Sequence, residues 1–148
     1  MVIYLAQHGL AYTKEENEER PLTSVGVKEC ESVSKFLKNK GFILNKIFHS
    51  DKLRSKESAK IYSTILSNGD IYEIENLSPN DPVEKLCENF CEDSLYVGHL
   101  PHLEKLISFL ITGSEEYDLL RMKNSGVVCL EKRESSFFIK WYVTPEII

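Results

Sequence analysis

The chain has 148 residues, of which 42% are hydrophobic and 28% charged, and its formal net charge is −5. This length is typical of one domain and can bury about two-thirds of the unfolded surface, so we expect a single domain over residues 1–148. The negative charge argues against nucleic acid or an anionic membrane as a partner, and no apolar run approaches the ~20 residues of a membrane span.

Strands and helices are predicted to alternate along the chain, which indicates an α/β fold. Thr23 is the expected N-cap of the first helix, which Gly41 ends. Ser50 or Asp51 is the expected cap of the second helix, which Asn68-Gly69 breaks. In chain order the predicted elements are a strand at 2–7, a helix at 23–41, a strand at 43–48, a helix between 50 and 68, a strand at 70–75, a short helix through 86–90, a strand at 95–97, a helix from 101 through 110, and an edge hairpin of 126–130 and 136–143.

The four cysteines are scattered along the sequence. In a chain with an ample core this favours reduced thiols and a cytoplasmic location. Cys87 and Cys91, with His99 and His102 downstream, permit a second interpretation as zinc ligands, although the histidine spacing is shorter than in zinc fingers. The simpler interpretation places the two thiols on the buried side of a helix.

Two histidines each close an apolar run and stand beside a glycine. His8 precedes Gly9, and His99 follows Gly98. Residues just past the carboxyl ends of parallel strands line the crevice where such sheets bind ligands. Arg54 follows a third strand, so two imidazoles and a guanidinium are expected at one rim. A phosphoryl-transfer pocket is the leading hypothesis.

Each of these residues also has a plain structural explanation. Either histidine can be an ordinary, partly buried side chain at a strand end. Arg54 lies on a helix that also carries Lys52 and Lys56, so by sequence alone it is equally a solvated charge.

Four segments, in order and with matching spacing, resemble the motifs of the histidine phosphatase (phosphoglycerate mutase-like) superfamily, and specifically its short SixA-type phosphohistidine phosphatase branch. The resemblance covers nearly the whole chain and implies a three-layer α/β/α sandwich with a mostly parallel sheet and a C-terminal β-hairpin. The matching segments are Gln7-His8-Gly9-Leu10-Ala11, Arg20-Pro21-Leu22-Thr23 with Gly26, Ser50 to Ala59 around Arg54, and Val97-Gly98-His99-Leu100-Pro101, with Trp141 and Pro145 similar to the end of the SixA-type domain.

The resemblance implies a metal-independent phosphatase without a cofactor, acting on a phosphohistidine in a protein or on a small phosphoester. His8 would be the nucleophile that carries the phosphoryl group, while Arg54 and His99 hold its oxygens, with Gln7 and Gly9 beside them. The chemistry suits these residues. A neutral histidine forms covalent phosphoryl intermediates, and a dianionic phosphate needs donors such as a guanidinium fork, a protonated imidazole and backbone N–H groups.

Gln7 departs from the family pattern, which has an arginine immediately before the nucleophile. An amide donates hydrogen bonds but carries no charge and cannot form the bidentate fork. Losing one charge-assisted bond of about 1.5–3 kcal/mol would slow the reaction by roughly one to two decades. The alternative function is therefore a weak or inactive phosphate-site protein that binds a phosphorylated partner or ligand. Arg20 and Lys52 are the candidate cations to replace the positive charge that is missing at position 7.

Asp81 lies in a turn-rich loop, residues 76–82, from which a proton donor can approach the leaving group. An aspartate in an Asn-Asp-Pro turn also commonly caps the turn with its own carboxylate. The sequence leaves both roles open.

Overall fold

The computed structural model describes residues 1–67 and 69–148. The predicted helix break at Asn68-Gly69 includes Asn68, which lies outside the described residues. The strands are β1 (Val2–Gln7), β2 (Ile47–His49), β3 (Ile71–Glu73), β4 (Ser94–Gly98), β5 (Val127–Arg133) and β6 (Ser136–Val143). The helices are α1 (Ser24–Asn39), α2 (Leu53–Leu66), α3 (Val83–Leu86) and α4 (His102–Thr112), with single 3₁₀ turns at Cys87–Asn89 and Pro145–Ile147.

The strands form one sheet in the order β3-β2-β4-β1-β5-β6. The pairs β1–β4, β2–β3 and β2–β4 are parallel, whereas β5 runs antiparallel to both β1 and β6. The predicted parallel sheet with a C-terminal hairpin at its edge is confirmed. Gln7 pairs with Gly98 at the end of the β1–β4 ladder, so the residues that follow these two strands lie side by side.

Helices cover both faces of the sheet. On one face, α1 and α2 pack against strand residues such as Ala6, Ile47 and Val97. On the other face, α3 and α4 pack against Ile3 and Tyr96. Strands buried on both faces are near-continuous apolar runs, as the sequence has them. The three-layer sandwich is confirmed.

The start of α1 is fixed by Thr23 and Gly26. The Thr23 side chain accepts a hydrogen bond from the Gly26 N–H at 3.0 Å, as predicted for an N-cap. A Cβ on Gly26 would lie 2.2 Å from the carbonyl oxygen of Leu10, so only glycine allows the helix to pack this close to the loop after β1. Gly41, at φ +87°, follows the helix end.

Two predicted boundaries are wrong. The second strand begins at Ile47 rather than residue 43, because only 47–49 has partners, in β3 and β4, and Ile43 is 78% exposed. The N-cap of α2 is Lys52, which makes no side-chain cap bond. Neither Ser50 nor Asp51 is the N-cap, because the helix begins at Leu53. The Ser50 hydroxyl accepts from the Lys52 N–H at 3.2 Å and lies beside His99.

Candidate functional site

The loop after β1 is held against two neighbouring elements. The His8 N–H donates to the Gly98 carbonyl oxygen at 3.1 Å, extending the β1–β4 pairing by one residue. The Gly9 N–H donates to the Ser58 hydroxyl on α2 at 2.9 Å. A Cβ on Gly9 would lie 3.0 Å from the Cys30 sulfur and from a backbone oxygen of α1. A side chain at this position would push these neighbours by a few tenths of an ångström, so glycine suits a loop in contact with both helices.

His8 is held as a neutral imidazole with one free nitrogen. The residue is 8% exposed, and its Nδ1 lies 2.7 Å from the Gly9 carbonyl oxygen. A carbonyl only accepts, so Nδ1 carries the proton and Nε2 keeps its lone pair. Burial lowers the pKa of His8 to about 4, and the charges of Arg54 and Arg20 act in the same direction. At neutral pH Nε2 is an available nucleophile.

His99 lies directly beside His8. The two ring centroids are 5.0 Å apart, and His99 Nε2 lies 2.6 Å from the Ser50 hydroxyl oxygen. Burial lowers the pKa of His99 to about 2, with further lowering by the charges of His8, Arg54 and Lys52. The imidazole expected from the sequence to be protonated is therefore neutral while no anion is bound, because it is buried among cationic groups.

Helix α2 carries Arg54 and ties it to both histidine loops. The Ser55 hydroxyl donates to the Val97 carbonyl oxygen at 2.7 Å, at the end of β4. The Ser58 hydroxyl donates to the Arg54 carbonyl oxygen at 2.8 Å while accepting from Gly9. The guanidinium of Arg54 is partly buried, and its Nε has no hydrogen-bond partner. The structure thus brings His8, His99 and Arg54 together.

Both candidate cations to replace the positive charge missing at Gln7 lie near the histidines. Arg20 has a left-handed backbone, φ +52°, and its Nε donates to the Tyr12 carbonyl oxygen at 2.9 Å. Its charge lowers the pKa of both His8 and Arg54. Lys52 acts in the same way on His99. Arg20 and Lys52 are therefore the cations available to compensate for Gln7, and that compensation stays a prediction.

Asp81 is engaged in its own turn. Its Oδ2 accepts a hydrogen bond from the Ser78 N–H at 2.9 Å, and the Ser78 hydroxyl donates to Asp51 at 3.0 Å. Burial lowers the pKa of His102, and the negative charge of Asp81 opposes this shift. This geometry matches the turn-capping role of Asp81. The role of Asp81 as proton donor stays a prediction.

Buried polar atoms without partners concentrate at this end of the sheet. In the part of the chain that the structure describes, four residues carry all such side-chain atoms: Gln7 Oε1, Arg54 Nε, His99 Nδ1 and both ring nitrogens of His102. Leaving a buried polar group unpaired costs about 1–3 kcal/mol. Such a cluster is expected where a ligand completes the hydrogen bonds.

Residues 1–67 and 69–148 contain no group of three or more His, Cys, Asp or Glu side chains arranged to hold a metal ion. Cys87 contacts the Val83 carbonyl oxygen instead, and all four cysteines are free. Over the same residues, no helix is both long and apolar enough to cross a membrane.

No protein-family model and no curated protein sequence matches the chain. Solved structures do. The protein histidine phosphatase SixA, complexed with tungstate, superposes with a TM-score of 0.85 at 20% identity, covering 99% of each chain. SixA from Agrobacterium tumefaciens gives 0.78 at 20% identity over 97% of each chain. A phosphoserine phosphatase from Entamoeba histolytica, in complex with phosphoserine, gives 0.72 at 13% identity over 98% of each chain.

The chain has the SixA fold. At 20% identity or less, the likeness establishes the architecture and leaves substrate and activity to be argued from the residues. On this fold the histidine pair lies beyond the carboxyl ends of β1 and β4, the edge where open α/β sheets bind ligands.

Sequence reasoning missed several supporting contacts on this SixA fold. Ser58 bonds Gly9, and the Asn124 side-chain amide donates to the His8 carbonyl oxygen at 3.0 Å. Ser58 stands four residues after Arg54, on the same face of a helix, which was an available signal. Asn124 precedes β5, far along the chain, and only the β1–β5 pairing brings it to His8.

Proposed function

We propose that this chain is a metal-independent phosphatase that works through a phosphohistidine on His8. The observation that carries the proposal is the state of His8: neutral, with Nδ1 bound to Gly9, Nε2 free and the charges of Arg54 and Arg20 close by. A neutral ring nitrogen attacks phosphorus, and the surrounding cations stabilise the negative charge on the phosphoryl oxygens.

The reaction has two steps. In the first, a bond forms between His8 Nε2 and phosphorus as the bond from phosphorus to the leaving atom breaks, and the leaving group takes a proton. In the second, water attacks the phosphohistidine, which releases inorganic phosphate and a proton and restores neutral His8. Asp81 is the predicted proton donor in the first step, and Asp81→Asn tests that role separately.

Arg54, His99 and Gly9 are assigned to phosphate binding. A bound dianion would supply partners to the unpaired Arg54 Nε. It would also offset the positive charges that, after burial, lower the pKa of His99. Gln7 contributes an amide, and Arg20 a guanidinium, where the family motif has one arginine. We propose protein phosphohistidine or a small phosphoester as substrate and a cytoplasmic location, with which the four free cysteines are compatible.

Gln7 favours one alternative, a protein that binds a phosphorylated partner or ligand with little turnover. Its neutral amide leaves the site one positive charge short beside the nucleophile. The remaining cations are on other elements, and their ability to compensate decides between the two functions.

One experiment separates these functions. The purified chain is incubated, without added metal and with a chelator, with p-nitrophenyl phosphate and with a phosphohistidine peptide. We expect release of phosphate and a transient phosphorylated chain that survives base but not acid. Phosphate or vanadate binding without turnover selects the binding protein, and neither binding nor turnover contradicts the phosphate site itself.

A further inference from the structure

A cavity of about 480 Å³ adjoins both histidine loops. Gln7, which immediately precedes His8, and Leu100, which immediately follows His99, both line it. So does Asn124, whose side chain donates to the His8 carbonyl oxygen. The cavity therefore lies against the loops that carry the two histidines, although neither histidine is among its lining residues.

The charge of this cavity is opposite to that of the phosphate pocket. Its charged lining residues are Glu29, Lys123 and Glu146. Lys123 Nζ lies 3.0 Å from Glu146 Oε1, so these two charges offset each other. The half-buried carboxylate of Glu29 on α1 is then left as the net charge. Gln7 adds no positive charge on this side, so the cavity is anionic.

The rest of the lining is mostly apolar. Leu10, Leu100, Met122 and Pro145 supply carbon surface between the charged groups. Such a cavity accepts a short methylene chain and orients a polar group at its end. A carboxylate placed there would face Glu29, whereas an ammonium group would be attracted to it.

We infer that the cavity receives the leaving group and selects a phosphomonoester of a small amino alcohol, with an ammonium group a few atoms from the ester oxygen. This rests on the proposed phosphatase function. The step is the one described above: the N–P bond forms at His8 Nε2, the ester P–O bond breaks, and the alcohol leaves with one proton, for which Asp81 is the predicted donor. Its ammonium group stays charged throughout.

The test compares three esters of similar size: phosphoethanolamine, ethyl phosphate and phosphoglycolate, which are cationic, neutral and anionic in the leaving group. We expect kcat/KM to fall in that order, with about 3- to 10-fold between neighbours, the size of a single partly screened charge interaction. Equal values for the three esters, or a faster phosphoglycolate, would overturn the inference.

Variants locate the source of the selectivity. Glu29→Gln should reduce the ratio of phosphoethanolamine to phosphoglycolate by about 3-fold or more, whereas Lys123→Met should increase it. Glu31→Gln is the matched control, because Glu31 is a half-buried glutamate on the same helix outside the cavity lining. An unchanged ratio in Glu29→Gln contradicts the assignment.

Binding to the His8→Ala variant separates this inference from the proposed function. Calorimetry with the same three esters should give affinities in the same order. If the wild-type chain turns over none of them but His8→Ala binds them in this order, the phosphatase proposal fails and the cavity assignment stands. If the wild-type chain turns over the three esters equally well and His8→Ala binds them equally tightly, the phosphatase proposal stands and the cavity assignment fails.

Discussion

The ends of β1 and β2 carry the same local arrangement with different surroundings. His8 and His49 are both buried at a strand end, and in each the Nδ1 donates to the carbonyl oxygen of the next residue at 2.7 Å. His8 additionally lies 5.0 Å from the His99 ring and within reach of the charges of Arg54 and Arg20. A fixed tautomer at a strand end is therefore a feature of the fold, and convergence with cations from other elements distinguishes the candidate nucleophile.

The largest expected effect separates His8 from His49. His8→Ala should abolish phosphatase turnover, because no other residue is assigned to form the covalent bond, while His49→Gln should retain turnover within a few-fold. Phosphate release is measured for both, with circular dichroism to check folding. Equal activity of the two variants would show that the strand-end geometry has no special role at β1.

Acid should destabilise the β1 end through His8. The unfolded chain binds a proton near the ordinary pKa of 6.5, whereas the folded chain binds it only near about 4, so stability is lost as pH falls through this window. Between pH 7 and pH 5 the contribution is about 2 kcal/mol.

Urea unfolding of wild type and His8→Asn at pH 7 and pH 5 measures this contribution. The wild type should lose about 2 kcal/mol more than His8→Asn over the same interval. Parallel losses in the two proteins would contradict the lowered pKa of His8.

Charge beside the nucleophile gives the next effect. If Gln7 leaves the pocket one charge short, Gln7→Arg should tighten vanadate binding and raise turnover by ~10-fold or more. If Arg20 already replaces this charge, Arg20→Ala should lower both by a similar factor and Gln7→Arg should restore them in the double variant. Should Gln7→Arg and Arg20→Ala both be without effect, the phosphate pocket is wrongly assigned.

The smallest effect concerns Ser50, which bonds His99 at 2.6 Å. Ser50→Ala removes a neutral hydrogen bond of about 0.5–1.5 kcal/mol, so turnover should fall by about 2- to 10-fold. Ser34→Ala on α1, which removes a buried hydroxyl bonded only to backbone, is the control for general loss of packing. A loss in Ser34→Ala as large as in Ser50→Ala would show that His99 does not need this contact.

The sequence predicted what depends on local pattern. The apolar run of β1, the Thr23 cap and the hairpin around Glu134 follow from periodicity and turn chemistry, and the histidines followed from their position after such runs. The sequence-based predictions were wrong where contacts between elements distant in the chain determine the bounds of an element. Strand β2 is short because only residues 47–49 find partners in β3 and β4. Ser50 is not the N-cap of α2 because the helix begins at Leu53, which makes Lys52 the N-cap.

The position of β1 in the sheet has a consequence for folding during synthesis. Both neighbours of β1 come late: β4 begins at Ser94 and β5 at Val127. During synthesis on the ribosome, β1, the most apolar strand of the chain, has no strand partner until well over half of the protein has been made. Such long-range pairing is slow and leaves an exposed edge open to aggregation. A truncation before residue 94 should therefore give an insoluble product rather than a folded half.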